Sequence, residues 1–256
     1  PWVDPTVVYA GLVQPLGTTT LDDLLGSVLG YHLPTLLPFA VAVVALCGLL
    51  GAGRTELALS LFGMTRPDSG KIYLDSKPVR FRSHEDAIKA GIGYVSEDRL
   101  TLGLVLQQSV ADNTVLAILD QLRGRFHLID EYRKNKLILQ WIEKLGVKVS
   151  DPDQAISTLS GGNQQKIVLA KWVLTQPKIL ILDSPTVGVD VGAKASIYAL
   201  IHQLADEGIS VLLISDEVPE VYFNCDRVLH VSEGRILGEY LPQNISQQQL
   251  AEAVNA

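Results

Sequence analysis

The sequence predicts an α/β fold with a mainly parallel sheet. Beyond Gly53, short apolar runs typical of buried strands alternate with segments of helical periodicity. Two of these runs, 179–183 (ILILD) and 210–215 (SVLLIS), are apolar almost throughout, as in strands that helices cover on both faces. An amphipathic helical segment at 192–207 lies between them, so these three elements predict a βαβ unit.

The other elements follow from the same periodicities and from turn residues. Apolar residues at helical spacing predict helices, and alternation of polar and apolar residues predicts hairpins. In chain order we expect a strand at 39–46, a helix at 56–63, a hairpin at 69–81, a helix at 84–90, a strand at 92–95, mostly helix at 109–149, a helix within 158–175, a hairpin at 227–240 and a terminal helix at 246–256.

Length and charge narrow the class of protein. The chain has 256 residues, a net charge of −7 and two cysteines, Cys47 and Cys225. This length can bury one large core or two modest ones, and two cysteines fit a reducing compartment. The acidic balance provides no general basic field, so we expect no nucleic acid partner. Because position 1 is Pro rather than Met, we also expect a processed, trimmed or partial chain.

The first 53 residues carry only three charges, all Asp, which raises the question of a membrane anchor at 24–53. A spanning helix needs about 20 apolar residues and basic flanks. Pro34 and Pro38 interrupt this run, and no basic residue precedes Arg54. We therefore favour a buried strand at 39–46 and keep the anchor as an alternative.

A glycine-rich motif follows this strand. Residues 48–55 (GLLGAGRT) fit the phosphate-loop pattern, with Arg54 where a lysine usually stands. Glycines let backbone N–H groups turn toward phosphate oxygens, and the next helix adds its positive end. Thr55 would offer its hydroxyl to Mg²⁺. The alternative is a glycine turn without a ligand.

A second motif ends the predicted strand 179–183. Asp183 would lie at the carboxyl edge of a parallel sheet, beside the phosphate loop. A carboxylate there can hold a Mg²⁺-bound water. The alternative is that Asp183 only caps the following turn.

The third motif is the most specific. Residues 159–166 read LSGGNQQK, which places Ser160, Gly161 and Gly162 at the start of a predicted helix, a site suited to an anion. This stretch resembles the signature of ATP-binding cassette (ABC) proteins, and the order of the three motifs is similar to theirs. An ordinary capped helix is the alternative.

The chain resembles, more narrowly, the second, C-terminal cassette in the tandem ATP-binding subunits of bacterial ribose, galactose and xylose importers. The similarity runs from about residue 42 to the C-terminus. Arg54 and Glu97, an acidic residue at the Q-loop position, match features of such second cassettes. Four passages carry the resemblance: 48–63, 91–99, 159–174 and 185–194.

The resemblance implies a cassette at 40–256 with a RecA-like parallel core, a small antiparallel β-subdomain and an α-helical signature subdomain at about 100–175. It implies the cofactors ATP and Mg²⁺ and an ATPase that drives sugar uptake. The implied partners are a second cassette, on the same polypeptide or in a dimer, transmembrane permease subunits and, indirectly, a periplasmic sugar-binding protein. The implied location is the cytoplasmic face of the inner membrane, peripheral through the permease.

The resemblance also assigns roles to single residues. Glu97 would report the nucleotide state to the helical subdomain and the permease, and Asp190 would lie in the D-loop at the cassette interface. Thr55 and Asp183 would approach Mg²⁺. The triphosphate would be contacted by Gly48, Gly51, Gly53, Arg54, Thr55 and Glu56, and nucleotide on the partner cassette by Ser160, Gly161, Gly162 and Gln164.

Two positions depart from active cassettes. Ser184 stands where the catalytic glutamate follows the strand Asp, and Ser215 takes the switch position that usually carries histidine. A serine is a poor general base near neutral pH, and losing a general base costs about 10²–10⁴-fold in rate. Together with Arg54, these changes predict that this cassette binds ATP but hydrolyses it poorly. Its signature would then complete the hydrolytically competent site formed with a partner's phosphate loop. The alternative is a regulatory cassette that supports a catalytic partner.

Residues 1–39 also depart from the family pattern. They lack the expected antiparallel strands, and no spacing favours Tyr9 or Tyr31 as an adenine-stacking ring.

A cassette protein working on DNA or ribosomes is a further alternative, against which the acidic charge weighs. Finally, Asp216, Glu217 and Glu220 predict a solvated acidic face, and Cys47 a small buried residue.

Overall fold

A computed structural model describes residues 43–67, 69–75 and 77–255, apart from the side chain of Arg125. The expectations for 1–39, including Tyr9 and Tyr31, lie outside the described residues, as does most of the alternative anchor. Within the described part of the chain, no helix is both long enough and apolar enough to cross a membrane.

The elements agree closely with the predicted order. The strands are β1 (Val43–Cys47), β2 (Ile72–Leu74), β3 (Lys77–Val79), β4 (Ile92–Val95), β5 (Ile179–Asp183), β6 (Ser210–Ser215), β7 (Arg227–Ser232) and β8 (Arg235–Tyr240). The helices are α1 (Arg54–Leu61), α2 (His84–Lys89), α3 (Val110–Val115), α4 (Glu131–Lys144), α5 (Gly161–Val173), α6 (Val191–Asp206), α7 (Val218–Asn224) and α8 (Gln247–Asn255).

Six of the strands form one sheet in the order β4-β5-β6-β1-β7-β8. The first five in that order are parallel, and β8 returns antiparallel to β7 as the predicted closing hairpin. The adjacent parallel strands β5 and β6, joined through α6, confirm the βαβ unit. Strands β2 and β3 form a separate antiparallel pair. The predicted α/β class is confirmed.

Helices cover both faces of this sheet. Along the fully buried β1, Val43, Ala45 and Cys47 pack into one core with residues of α5 to α8, while Val44 and Leu46 pack into another with α1 and α2. This alternation explains why β1 carries no polar residue. A third, smaller cluster lies in the helical region and consists of Ala111, Val115, Ile118, Leu122, Ile138 and Leu174.

Both cysteines are interior residues. Cys47 is fully buried at the end of β1, as expected, and Cys225 is buried after α7. Burial raises the pKa of the Cys47 thiol to about 11, and the pKa of Cys225 lies well above its usual value for the same reason.

The helical region is more broken than its periodicity suggests. After the short α3, the chain continues as a 3₁₀ turn over Leu116–Leu122 before α4 begins. The Thr114 hydroxyl donates to the carbonyl of Val110 at 2.7 Å, and such bonds to the preceding turn bend helices. The prediction of mostly helix at 109–149 is confirmed, with α4 regular and the stretch before it broken into short turns.

Candidate functional site

The predicted phosphate loop joins the carboxyl end of β1 to the start of α1. Gly51 and Gly53 have φ of +79° and +93°, which glycine adopts without strain. A Cβ on Gly48 would lie 2.0 Å from the carbonyl oxygen of Val231, so only glycine fits there. Backbone geometry and close packing thus account for all three glycines.

The three residues after the loop differ in exposure. Arg54 is buried, Thr55 is half-buried and Glu56 is exposed. Among the residues described, nothing accepts a hydrogen bond from Nη1 of Arg54. Leaving a buried guanidinium partly unpaired is costly, so Arg54 indicates a place for an anion.

The register of the sheet brings Asp183 to the same edge. In β6, Ser215 pairs with Cys47 of β1 and Ile214 pairs with Asp183 of β5, so the three strands end at one level. The Tyr94 hydroxyl donates to Oδ2 of Asp183 at 2.9 Å, whereas Oδ1 is buried with no partner in the described chain. One carboxylate oxygen is therefore left for a ligand.

The surroundings of Asp183 have opposing effects on its charge. Burial raises the pKa of this carboxyl above its usual value. The hydroxyls of Tyr94 and Thr55 and the charge of Arg54 act in the opposite direction. The structure thus brings Arg54, Thr55 and Asp183 close together.

These donors fit Mg²⁺. The free Oδ1 of Asp183 and the Thr55 hydroxyl are hard oxygen ligands of the kind that this ion prefers. The described residues contain no cluster of three or more His, Cys, Asp or Glu able to hold a metal. A magnesium ion here would need phosphate oxygens and water as its other ligands, as is usual for Mg²⁺ in nucleotide sites.

Ser184 follows Asp183 with an unusual backbone. Its φ of +46° lies in the left-handed region, and its N–H donates to the carbonyl of Ile214 at 2.9 Å. The position at which the resemblance leads us to expect a catalytic carboxylate offers only a hydroxyl.

The hydroxyl of Ser215 is hydrogen-bonded to other residues of the chain. It donates to Oε2 of Glu220 at 3.2 Å and accepts from the N–H of Glu217 at 3.1 Å. The side chain is only 2% exposed. In this arrangement the hydroxyl at the switch position is held by α7 and its N-terminal flank.

Glu220 contradicts the prediction of a solvated acidic face. Asp216 and Glu217 are exposed as expected, but Glu220 is buried on the side of α7 that packs against α6 and the end of β6. Besides Ser215, its carboxylate accepts from the hydroxyls of Thr186 and Tyr198 and from the ammonium of Lys194, at 2.7 to 3.0 Å.

This network sets the protonation of Glu220. Burial acts to raise the pKa of its carboxyl, but the hydrogen bonds from Lys194, Tyr198 and Thr186 outweigh it, and the pKa lies below its usual value. A charged carboxylate therefore ties α7 to α6 and to the segment after β5.

The predicted signature begins α5. Ser160 is the N-cap residue, as expected, but its side chain accepts from Asn163 Nδ2 at 3.0 Å instead of capping a backbone N–H. A Cβ on Gly162 would lie 2.5 Å from the Cβ of Ala193, so the helix start packs directly on α6. The side chain of Gln164 is buried and donates to the carbonyl of Ile156 at 3.3 Å, whereas Ser160 is exposed.

Glu97 and Asp190 are both exposed. Asp190 caps α6 by accepting from the N–H of Ala193 at 2.9 Å. Glu97 lines a cavity of about 890 Å³ that extends from Thr55 and Asp183 toward the helical region. The structure therefore places Glu97 on the same cavity as Thr55 and Asp183, whereas Asp190 is not among the residues that line it.

Part of the wall of this cavity is aromatic. Phe62 stacks on Tyr94 with ring centroids 5.3 Å apart, and Trp172 meets Phe62 edge-on at 5.5 Å. Lys171 of α5 also lines the cavity, and burial lowers its pKa to about 8.

Sequence reasoning missed Tyr94, Lys171 and Glu220. Tyr94 stands in a predicted strand parallel to the one that ends at Asp183, and this was a usable signal. Lys171 is a lone charge on the apolar face of α5. For Glu220, the third position of a short helix gave no comparable signal.

Comparisons with known proteins agree with the geometry. A model of the family described as ABC transporter matches residues 39–187. The chain is 43% identical over 208 residues to the ribose import ATP-binding protein RbsA of Caldanaerobacter subterraneus subsp. tengcongensis. It is 46% identical over 212 residues to the xylose import ATP-binding protein XylG of Escherichia coli strain K12.

These matches cover 81% and 82% of this chain but 42% and 41% of the two relatives. The chain therefore spans about two fifths of the length of the curated relatives it matches.

Solved structures share the fold. The structure of cbiO1 from Clostridium perfringens, part of the ABC transporter complex cbiONQ, gives a TM-score of 0.68 at 25% identity and covers 86% of this chain and 85% of that chain. The ATP-binding cassette MJ1267 of an ABC transporter gives 0.71 at 19% identity, with 84% and 88% covered.

Proposed function

The chain belongs to the ABC transporter family, and on that premise we propose that it is an ATP-binding cassette that helps to drive sugar uptake. The observation that carries the proposal is the pair of buried, unpartnered polar atoms in the described site, Nη1 of Arg54 and Oδ1 of Asp183. One calls for an anion and the other for a cation or a donor. A magnesium-bound triphosphate supplies both.

Each residue of the site has a part in this proposal. The backbone N–H groups of the loop 48–53 and the start of α1 bind phosphate oxygens, and Arg54 adds positive charge. Thr55 and Asp183 hold Mg²⁺, which neutralises phosphate charge when bound. Glu56 is exposed at the start of α1 and is the least supported of the predicted contacts.

Sugar is the proposed cargo because the two relatives are named as ribose and xylose import proteins. The proposed partners are a second cassette, whose nucleotide Ser160, Gly161 and Gly162 would contact, and a transmembrane permease. Asp190 would lie at the cassette interface. The cavity that Glu97 lines has mainly apolar walls and suits the permease contact. The chain would then sit peripherally at the cytoplasmic face of the membrane.

We expect weak hydrolysis at this site. Ser184 supplies no carboxylate, and the Ser215 hydroxyl is engaged by Glu220 and Glu217. The same two observations favour a second candidate function, a regulatory cassette that binds nucleotide and supports a catalytic partner. Stimulation of a partner cassette, with little turnover by this chain, would distinguish the second function from the first.

Binding of MgATP to the purified chain tests the proposal. We expect saturable binding by calorimetry, weakened at least tenfold in Arg54→Ala and in Asp183→Asn, since each removes one of the two unpartnered groups. Arg123→Ala is the matched control, because Arg123 forms an exposed ion pair with Asp120 in the helical region. Absence of binding by the unmodified, folded chain would refute the proposal.

A further inference from the structure

The side chain of Arg99 lies where three loops meet. It begins a π-helical turn, Arg99–Gly103, that follows β4. Its Nη1 donates to the carbonyl oxygen of Val187 at 2.6 Å and its Nη2 to that of Gly188 at 3.0 Å. Both carbonyls belong to the segment that joins β5 to α6 and ends at Asp190.

The guanidinium also touches the start of the signature helix α5. A Cβ on Gly161 would lie 2.9 Å from Nη2 of Arg99 and 3.0 Å from the carbonyl oxygen of Gly188. A side chain at this position would displace both groups. The glycine of the signature therefore makes room for Arg99, in addition to any role with a phosphate.

The turn that carries Arg99 is anchored at both ends. Asp98 caps it by accepting from the N–H of Thr101 at 3.1 Å. At its other end, the ammonium of Lys171 on α5 donates to the carbonyl of Gly103. Arg99 is thus held on a fixed support and does not extend from a free loop.

We propose that Arg99 is a positioning residue that holds the segment 187–190 against the start of α5, so that Ser160 and Asp190 face a partner's triphosphate as one surface. A planar guanidinium can bond two adjacent carbonyls at once, which a lysine cannot do. The carbonyls also offset the repulsion between this cation and the positive end of the helix. The proposal rests on the proposed function for its ligand, but its structural part can be tested separately.

Hydrogen exchange tests the structural part. In Arg99→Ala we expect amides at 187–193 and 161–164 to exchange about tenfold faster, with those of β1 and β5 unchanged. Arg99→Lys should give an intermediate increase, because one carbonyl stays bonded. Arg123→Ala is the control. Equal exchange in Arg99→Ala and Arg123→Ala would overturn the proposal, as would a uniform increase that includes β1 and β5.

Association of two copies tests the ligand part. With MgATP we expect the unmodified chain to form a dimer in sedimentation, and Arg99→Ala to associate about tenfold more weakly while its ATP affinity stays within about twofold. Equal loss of ATP affinity and association would overturn the proposal. So would unmodified chain that binds ATP without associating. An unmodified chain that does not bind ATP would instead refute the proposed function, and hydrogen exchange would still decide the role of Arg99.

Discussion

The hydroxyl of Tyr94 on β4 donates a 2.9 Å hydrogen bond to Oδ2 of Asp183 at the end of the neighbouring strand β5. This bond favours the charged carboxylate and opposes the effect of burial on its pKa. It also directs the unpartnered Oδ1, rather than Oδ2, to a ligand. Tyr94 thereby controls the acidity and the orientation of the proposed magnesium ligand.

We predict that Tyr94→Phe weakens MgATP binding most at mildly acidic pH. Without the phenol, the pKa of Asp183 rises further, so protonation begins at a higher pH. We also expect the free energy of unfolding to fall by about 1 kcal/mol. Calorimetric titration across pH measures the first effect, with the exposed Tyr132→Phe as control. An unchanged pH profile in Tyr94→Phe would contradict this role.

Ser184→Glu is predicted to raise ATP turnover by roughly tenfold to a hundredfold. The new carboxylate would supply a general base, which is worth about 10²–10⁴-fold in full. The gain does not exceed the lower end of that range because Arg54 and Ser215 are unchanged. Steady-state phosphate release measures the rate, and Ser184→Gln is the control with similar size but no base. High turnover in the unmodified chain would show that Ser184 is not limiting.

Replacement of Glu220 is predicted to destabilise the fold strongly. Glu220→Ala leaves Lys194 and three buried hydroxyls without their common acceptor, so the free energy of unfolding should fall by about 3 kcal/mol. Glu217→Ala removes an exposed partner of the same lysine and should cost about 0.5 kcal/mol. Similar losses in the two variants, measured by urea unfolding, would argue against the buried network.

The same carboxylate should make stability depend on acid. The pKa of Glu220 is lower in the folded chain than its usual 4.5, so the unfolded chain binds the proton first as pH falls. The contribution of Glu220 is therefore complete above about pH 5.5 and is lost as pH falls through and below 4.5. Glu220→Gln should lack this part of the acid dependence, and an identical pH profile in both proteins would count against it.

The buried Lys171 should make the free energy of unfolding depend on pH in the alkaline range. Burial lowers its pKa to about 8 in the folded chain, whereas the unfolded chain keeps the proton up to about 10.5. Since the unfolded state binds more protons between these values, stability should rise with pH across that window, by about 3 kcal/mol. Lys171→Met should remove the rise and the exposed Lys136→Met should keep it. Equal slopes in urea unfolding would refute the shift.

The strands with continuous apolar sequence were predictable, because a strand that is buried on both faces carries apolar side chains at nearly every position. The same logic located Asp183, which is the first charge after such a run. Specific spacing located the phosphate loop and Ser160. What could not be predicted depends on tertiary approach: Glu217 is the exposed N-cap residue of α7, whereas Glu220, three residues later, lies on the buried side of the helix.

The hydrogen bonds of Arg99 could not be predicted from the sequence either. Its sequence neighbours, Asp98 and Glu97, are exposed charges, and nothing in local periodicity separates it from them. Its partners lie 88 and 89 residues away along the chain. Such a contact is set by the packing of α5 on α6, where Gly162 allows close approach, and not by local propensity.

Because both thiols are buried, their rates of chemical labelling can report on unfolding. Cys47 lies beneath the phosphate loop and Cys225 follows α7, and burial raises the pKa of each. The thiolate is the form that attacks an alkylating reagent, so both groups should stay unmodified until the sheet opens. The rate of labelling in dilute denaturant would then report separately on the two positions. A ligand bound at the phosphate loop should slow the modification of Cys47, which would make nucleotide binding visible without any enzymatic assay.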